Sequence, residues 1–127
     1  MSKKHLVIII EDDFDMHNMF RMVAELVPDY EIEVITDGIE AIKRIENPIL
    51  PNLVLLDLHL PHVEGDEFLR TARATPIWKN VPIYIITADA KLAEDYQRNP
   101  RGANGAYLKG DYSIDLLQEL LEKYVQS

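Results

Sequence analysis

Apolar residues fall along the chain in two rhythms, a strand-like run and a helical stripe, that alternate five times. Leu6–Ile10 is an unbroken apolar run and reads as a strand. Residues 14–27 follow with Met16, Phe20, Val23, Ala24 and Val27 on one helical face, and Pro28 closes the segment. Glu31–Thr36 alternates acidic and apolar residues, the mark of a half-buried strand. Asp37, with Glu40 three places later, is an N-cap pattern for a helix through about Glu46. Leu53–Asp57 is the third strand, and a helix follows near Gly65–Ala74 with Phe68, Leu69 and Ala72 inward. Val81–Thr87 is the fourth strand, and residues 90–98 a weaker helical pattern stopped by Asn99-Pro100. Ala106–Lys109 is a short fifth strand. Ser113 is placed to cap a last helix whose stripe is Ile114, Leu117, Leu120, Leu121 and Tyr124.

Five strand-then-helix units predict an α/β fold: a parallel sheet with five helices distributed over both faces. Strands one, three and four are continuously apolar, as central parallel strands are when both faces are covered. Strand two alternates and strand five is short, so both read as edges. That pattern agrees with the doubly wound, flavodoxin-like order 2-1-3-4-5. Without a repeat, linker or low-complexity tract, residues 1–127 are expected to form one domain.

Composition narrows the function classes. The chain has 127 residues and no cysteine, which excludes a disulfide framework and cysteine zinc sites and suits a reducing cytosol. Only five apolar residues follow Met-Ser-Lys-Lys-His before three acids arrive, too few for a signal-peptide core or a membrane span. A cytoplasmic protein is expected, with no membrane partner. The net charge is −9, and nothing resembles the basic stripe that phosphate neutralisation needs, so direct nucleic-acid binding is not expected.

In doubly wound sheets the site lies outside the carboxyl ends of the strands, near the switch in strand order. The residues found just past each strand are therefore informative. Strand one delivers Glu11, Asp12 and Asp13, strand three Asp57, strand four Thr87 and strand five Lys109; Thr36-Asp37 follows the displaced edge strand. Ending an apolar central strand on Asp57 is costly unless the charge is compensated. Four converging carboxylates repel one another, and two cations can offset them: Lys109 and a divalent metal. Oxygen-only ligands point to a hard cation, Mg²⁺ or Mn²⁺. A carboxylate beside such an ion, a hydroxyl and an ammonium is a set of parts for phosphoryl transfer through an aspartyl phosphate.

The ordered pieces "IIIEDD", "LLDLHLPHVEG", "IITA" and "YLK" resemble the receiver domain of bacterial two-component response regulators, such as the single-domain chemotaxis regulator, over essentially the whole chain. The second piece follows D-[LM]-x-[LM]-P-x-x-x-G from Asp57 to Gly65. Thr87 lies 30 residues past Asp57 and Lys109 lies 52 past it, as in that family. The resemblance implies that Asp57 is the phosphoacceptor. It implies that Asp12 is a direct metal ligand, Glu11 acts through water, and the backbone carbonyl of His59 completes the set. Asp13 directly follows the acidic pair and offers an alternative register for it. Thr87 would be the switch hydroxyl and Lys109 the cation on the phosphoryl group. Ala88 and Asp89, which follow Thr87, and Tyr107 are candidate switch or tuning positions, as is His59. The phosphoryl donor would be a histidine kinase or a histidine phosphotransfer protein. Because the chain ends with its fifth helix, output is expected through contacts with a downstream protein.

Two features depart from the family pattern. Lys109 is followed by Gly110 rather than by a proline in a cis bond. A cis bond to a non-proline residue costs about 2.5–4 kcal/mol, so a trans bond and an altered loop are expected. The aromatic switch residue normally lies three before the lysine, where this chain has Ala106. Tyr107 is adjacent and cannot substitute without a bulge, since neighbouring strand residues face opposite sides.

Plainer readings compete with these. Thr87 by itself reads equally as a helix cap before Ala88-Asp89, and a lone Lys109 as a surface lysine. His59 and His62 lack the further nitrogen ligands of a zinc site, and His5 and His17 read as surface or packing residues. Trp78 reads as a local packing anchor, while Tyr107 and Tyr124 read as partly exposed. Three functions follow in order: a stand-alone phosphoacceptor switch, which is not an enzyme beyond its own modification; a degenerate, non-switching protein-interaction module; and a phosphohydrolase. The last is disfavoured because His59 replaces the second acid of a D-x-D pattern.

Overall fold

A computed structural model describes residues 5–12, 17–18, 21–22, 30–60, 62–111 and 114–125. Its strands are β1 (His5–Ile10), β2 (Tyr30–Ile35), β3 (Leu53–Leu56), β4 (Ile83–Thr87) and β5 (Gly105–Leu108). The helices are α1 (Gly38–Arg44), α2 (Gly65–Ala74), α3 (Ala90–Arg98) and α4 (Ile114–Val125). The strands form one parallel sheet in the order β2-β1-β3-β4-β5, with β2 and β5 at the edges as expected.

Four α-helices, not five, are therefore present among the described residues. The expected first helix over 14–27 lies largely outside them, although residues 17, 18, 21 and 22 are helical. Met16, Phe20, Val23, Ala24 and Val27 cannot be placed for the same reason, nor can the Ser113 cap. The limits of all five strands shift by one or two residues, and two of the shifts have a visible cause. β4 starts at Ile83 rather than Val81, because Pro82 has no N–H to give the ladder; its carbonyl accepts from Val54 N–H instead, at 2.9 Å. β5 ends at Leu108, and Lys109 opens a single 3₁₀ turn through Asp111.

The continuous apolar runs are explained by the layers on either side of the sheet. Ile8, Ile10, Val54, Leu56, Ile83 and Ile85 join one core with Ala41, Phe68, Leu69, Ala72 and Tyr96 from α1, α2 and α3. Val7, Ile9, Leu53, Leu55, Tyr84 and Ile86 join another with Leu117, Leu120 and Leu121 from α4. Successive residues of a strand point to opposite faces, so only an all-apolar strand suits two covered faces. α2 spans the residues its pattern predicts, with Phe68, Leu69 and Ala72 inward. α1 starts as its cap signal requires, the Asp37 side chain accepting from Ile39 N–H. Trp78 is fully buried edge-on to Phe68 and donates to the Asn47 carbonyl, a packing anchor as expected.

Candidate phosphoryl-transfer site

The ladder runs one residue beyond the ends of β1 and β3. Glu11 N–H donates to the Ile35 carbonyl and Asp57 N–H to the Ile10 carbonyl, each at 2.9 Å. Both carboxylates are thereby fixed by backbone at the rim of the sheet, and both are buried, Glu11 at 3% and Asp57 at 5% exposure. Asp12 is exposed beside them. Carboxylate oxygens of Glu11, Asp12 and Asp57 lie within 4.8 Å of one another. Asp13, the alternative register, lies outside the described residues.

Lys109 reaches this cluster from the far edge strand. Its Nζ lies 2.9 Å from Glu11 Oε2 and 3.4 Å from Asp57 Oδ2. The peptide bond after it is trans, as expected from Gly110, and the 3₁₀ turn does not draw the ammonium away. Burial and a hydrogen bond shared with Asp57 push the Glu11 carboxyl up to about 8, against the pull of Lys109. The shift favours the protonated form of Glu11 until another cation joins Lys109. Three oxygen ligands, one carrying a displaceable proton, fit a hard divalent cation better than a soft one.

The loop after Asp57 is built against the site with little slack. His59 N–H donates to Asp57 Oδ1 at 3.1 Å, and Gly65 N–H donates to the Leu58 carbonyl at 2.8 Å, which closes the loop. A Cβ on Gly65 would stand 2.4 Å from the Asp57 carbonyl oxygen, so the backbone there tolerates only glycine. Leu58 and Leu60 are buried under the loop, and Pro61 lies outside the described residues. The His59 side chain points to solvent, and His62 pairs with Asp37 instead of joining it. No zinc-type cluster of histidines forms among the described residues.

Thr87 is fully buried at the end of β4. It is not the helix cap. Asp89 caps α3 by accepting from Lys91 and Leu92 N–H, while its own N–H donates to Thr87 Oγ1 at 3.1 Å. Ala88 is exposed between them.

β4 and β5 pair residue for residue from Tyr84–Gly105 to Thr87–Leu108, so no bulge shifts Tyr107 into the place of Ala106. Ala106 faces the α3 side, in the same core as Tyr96, and its carbonyl accepts from Gln97 Nε2 at 2.9 Å. Tyr107 faces the α4 side and stacks on Tyr84, with ring centroids 5.9 Å apart. Tyr84 and Tyr124 share a hydroxyl–hydroxyl bond of 2.7 Å, which ties α4 to the sheet.

His17 takes the packing role of the two readings: it is buried, and its Nε2 donates to the carbonyl of Glu11.

A profile of the response regulator receiver domain matches residues 7–122. The chain belongs to the receiver family. Among curated relatives, this receiver is 29% identical to chemotaxis protein CheY-3 of Vibrio cholerae over 123 residues, 94% of this chain and 92% of that one. It is 34% identical over 91 residues to the hybrid signal transduction histidine kinase D of Dictyostelium discoideum. That match takes in 71% of this chain but spans only 6% of the kinase. Among solved structures, the receiver domain of a Pseudomonas aeruginosa sensor histidine kinase superposes with a TM-score of 0.78 at 24% identity. The superposition covers 98% of this receiver and 99% of that one, which holds a magnesium ion in its active-site cleft. No described helix of this receiver is long and apolar enough to cross a membrane.

Proposed function

We propose that this receiver is a phosphoacceptor switch that takes a phosphoryl group onto Asp57 from a phosphohistidine of a histidine kinase or phosphotransfer protein. The observation that carries the reading is Lys109, which crosses from β5 to lie on both Glu11 and Asp57 in spite of Gly110. Mg²⁺ or Mn²⁺ would be held by Asp12, Asp57 and the His59 carbonyl, with Glu11 through water, and would supply charge neutralisation at the phosphoryl oxygens. The His59 N–H holds Asp57 Oδ1, which leaves Oδ2 facing the ammonium as the nucleophile. Oδ2 forms the bond to phosphorus as the bond from phosphorus to the imidazole nitrogen breaks, and the imidazole leaves with the electron pair. Lys109 moves its charge from Asp57 to the incoming phosphoryl group, and Thr87 Oγ1 donates to another of its oxygens.

The altered charge at the rim would bias the surface around β4 and β5 and so change binding to a downstream protein. The receiver would catalyse only its own phosphorylation and dephosphorylation, in the cytoplasm. The test is incubation with Mg²⁺ and acetyl phosphate or beryllofluoride. Intact mass should rise by one phosphoryl group with acetyl phosphate, and Asp57→Asn should abolish the rise. An unmodified wild-type protein would sink the reading.

A second reading is a receiver that binds partners without switching. It is favoured by Ala106, which leaves the α3 side of β5 without an aromatic ring while Tyr107 is committed to the opposite face. Amide chemical shifts discriminate the two. Changes on modification that stop at the rim support the non-switching module, whereas changes extending through α3 and β5 support the switch.

A further inference from the structure

The loop that carries His59 is fastened to a second part of the fold at its other end. Asp37 follows edge strand β2 and holds two groups at once. Its Oδ1 accepts from Ile39 N–H at the start of α1 (2.7 Å), and its Oδ2 accepts from His62 Nδ1–H at 2.5 Å. His62 sits at φ 71°, a left-handed conformation that is strained for a residue with a Cβ. Its side chain is 65% exposed, so core packing does not account for the conformation. The neighbouring contact repeats the link through backbone: Gly38 lies so close under Val63 that a Cβ would stand 2.4 Å from the Val63 carbonyl oxygen. The start of α1 and the middle of the 58–64 loop are therefore joined twice, once by a side-chain pair and once by close backbone packing.

We infer that His62 is a positioning residue, whose pair with Asp37 holds the 58–64 loop in the conformation that presents the His59 main chain to the cation. The inference rests on the reading of the rim as a Mg²⁺ site. A loop already held needs less ordering when the ion binds, which raises affinity without adding a contact to it. An exposed side-chain pair is a weak fastener, so the effect is modest: a three- to five-fold loss of Mg²⁺ affinity on releasing it.

Calorimetric Mg²⁺ titration and amide hydrogen exchange over residues 58–65, on the metal-free full chain, test it. His62→Gly removes the backbone cost and the pair together, and should bind Mg²⁺ three- to five-fold more weakly with faster loop exchange. His62→Asn tolerates the same φ and can still donate to Asp37, so it should restore most of the affinity. Asp37→Asn keeps the α1 cap acceptor while discharging the partner, and should match His62→Gly. Wild-type affinity and exchange in His62→Gly would overturn the inference, as would failure of the asparagine to rescue. If the wild-type protein takes up no Mg²⁺, the reading of the rim fails instead, and the exchange rates still decide whether the pair holds the loop.

Discussion

The two ends of the site are held in place by different means. At the end of β3, backbone packs on backbone: the Gly65 Cα sits against the Asp57 carbonyl, Gly38 lies under Val63, and hydrogen bonds from His59 and Gly65 close the loop. At the end of β5 a long, partly exposed side chain reaches inward from an edge strand, and a Cβ added to Gly110 would meet nothing within 4 Å. The first end is specified by the main chain and has no room for change. The second is specified by the reach of one ammonium and has room to spare. This is why a receiver can lose the proline after its lysine and still bring Lys109 to Asp57.

The largest expected effect arises where the two ends meet, at Glu11. Its carboxyl is raised from an ordinary 4.5 to about 8 by burial and by Asp57, so the folded state binds the proton more tightly than the unfolded state. Metal-free stability should then fall as pH rises from about 4.5 to about 8, by at most about 1.4 kcal/mol per pH unit. Urea unfolding across that range in the presence of a chelator should show the slope, and Glu11→Gln should flatten it. Mg²⁺ should lessen it, because the cation stabilises the ionised form. A metal-free protein that gains stability over the same range would contradict the account of Glu11.

Next comes Gly65→Ala, which forces backbone apart beside Asp57 and should cost about 1–3 kcal/mol, with a lower melting temperature and weaker Mg²⁺ binding. Smallest is Gly110→Ala, which should stay within about 0.5 kcal/mol of the parent and phosphorylate normally, since the site there is open. Were the two glycines to respond alike, the contrast between a backbone-built end and a side-chain-built end would be lost.

Much of this contrast is legible in the residues themselves. The alternation of apolar runs and helical stripes leads to the sheet order, and α2 matches its predicted limits because its pattern is local and strong. The acids after β1 and β3, Thr87 and Lys109 are legible because each follows directly on a strand, and a parallel sheet brings such positions to one rim. Less legible are the limits of β4, which Pro82 shortens, and of β5, which ends one residue earlier where Lys109 opens a 3₁₀ turn. The pair of His62 with Asp37 leaves no local trace at all, because it joins groups whose approach depends on loop paths rather than on periodicity.

By itself, then, the order of residues determined the class of fold, the rim on which the chemistry lies, and the chemical types collected there. These follow from periods of 2 and 3.6 and from the direction of parallel strands, which are local and additive. Only the tertiary structure decided that Lys109 reaches Asp57 without a cis bond, that Ala106 and Tyr107 serve opposite faces, and that Asp37 holds the loop through His62. Those depend on distances of a few ångströms between segments far apart in the chain, and packing alone sets them.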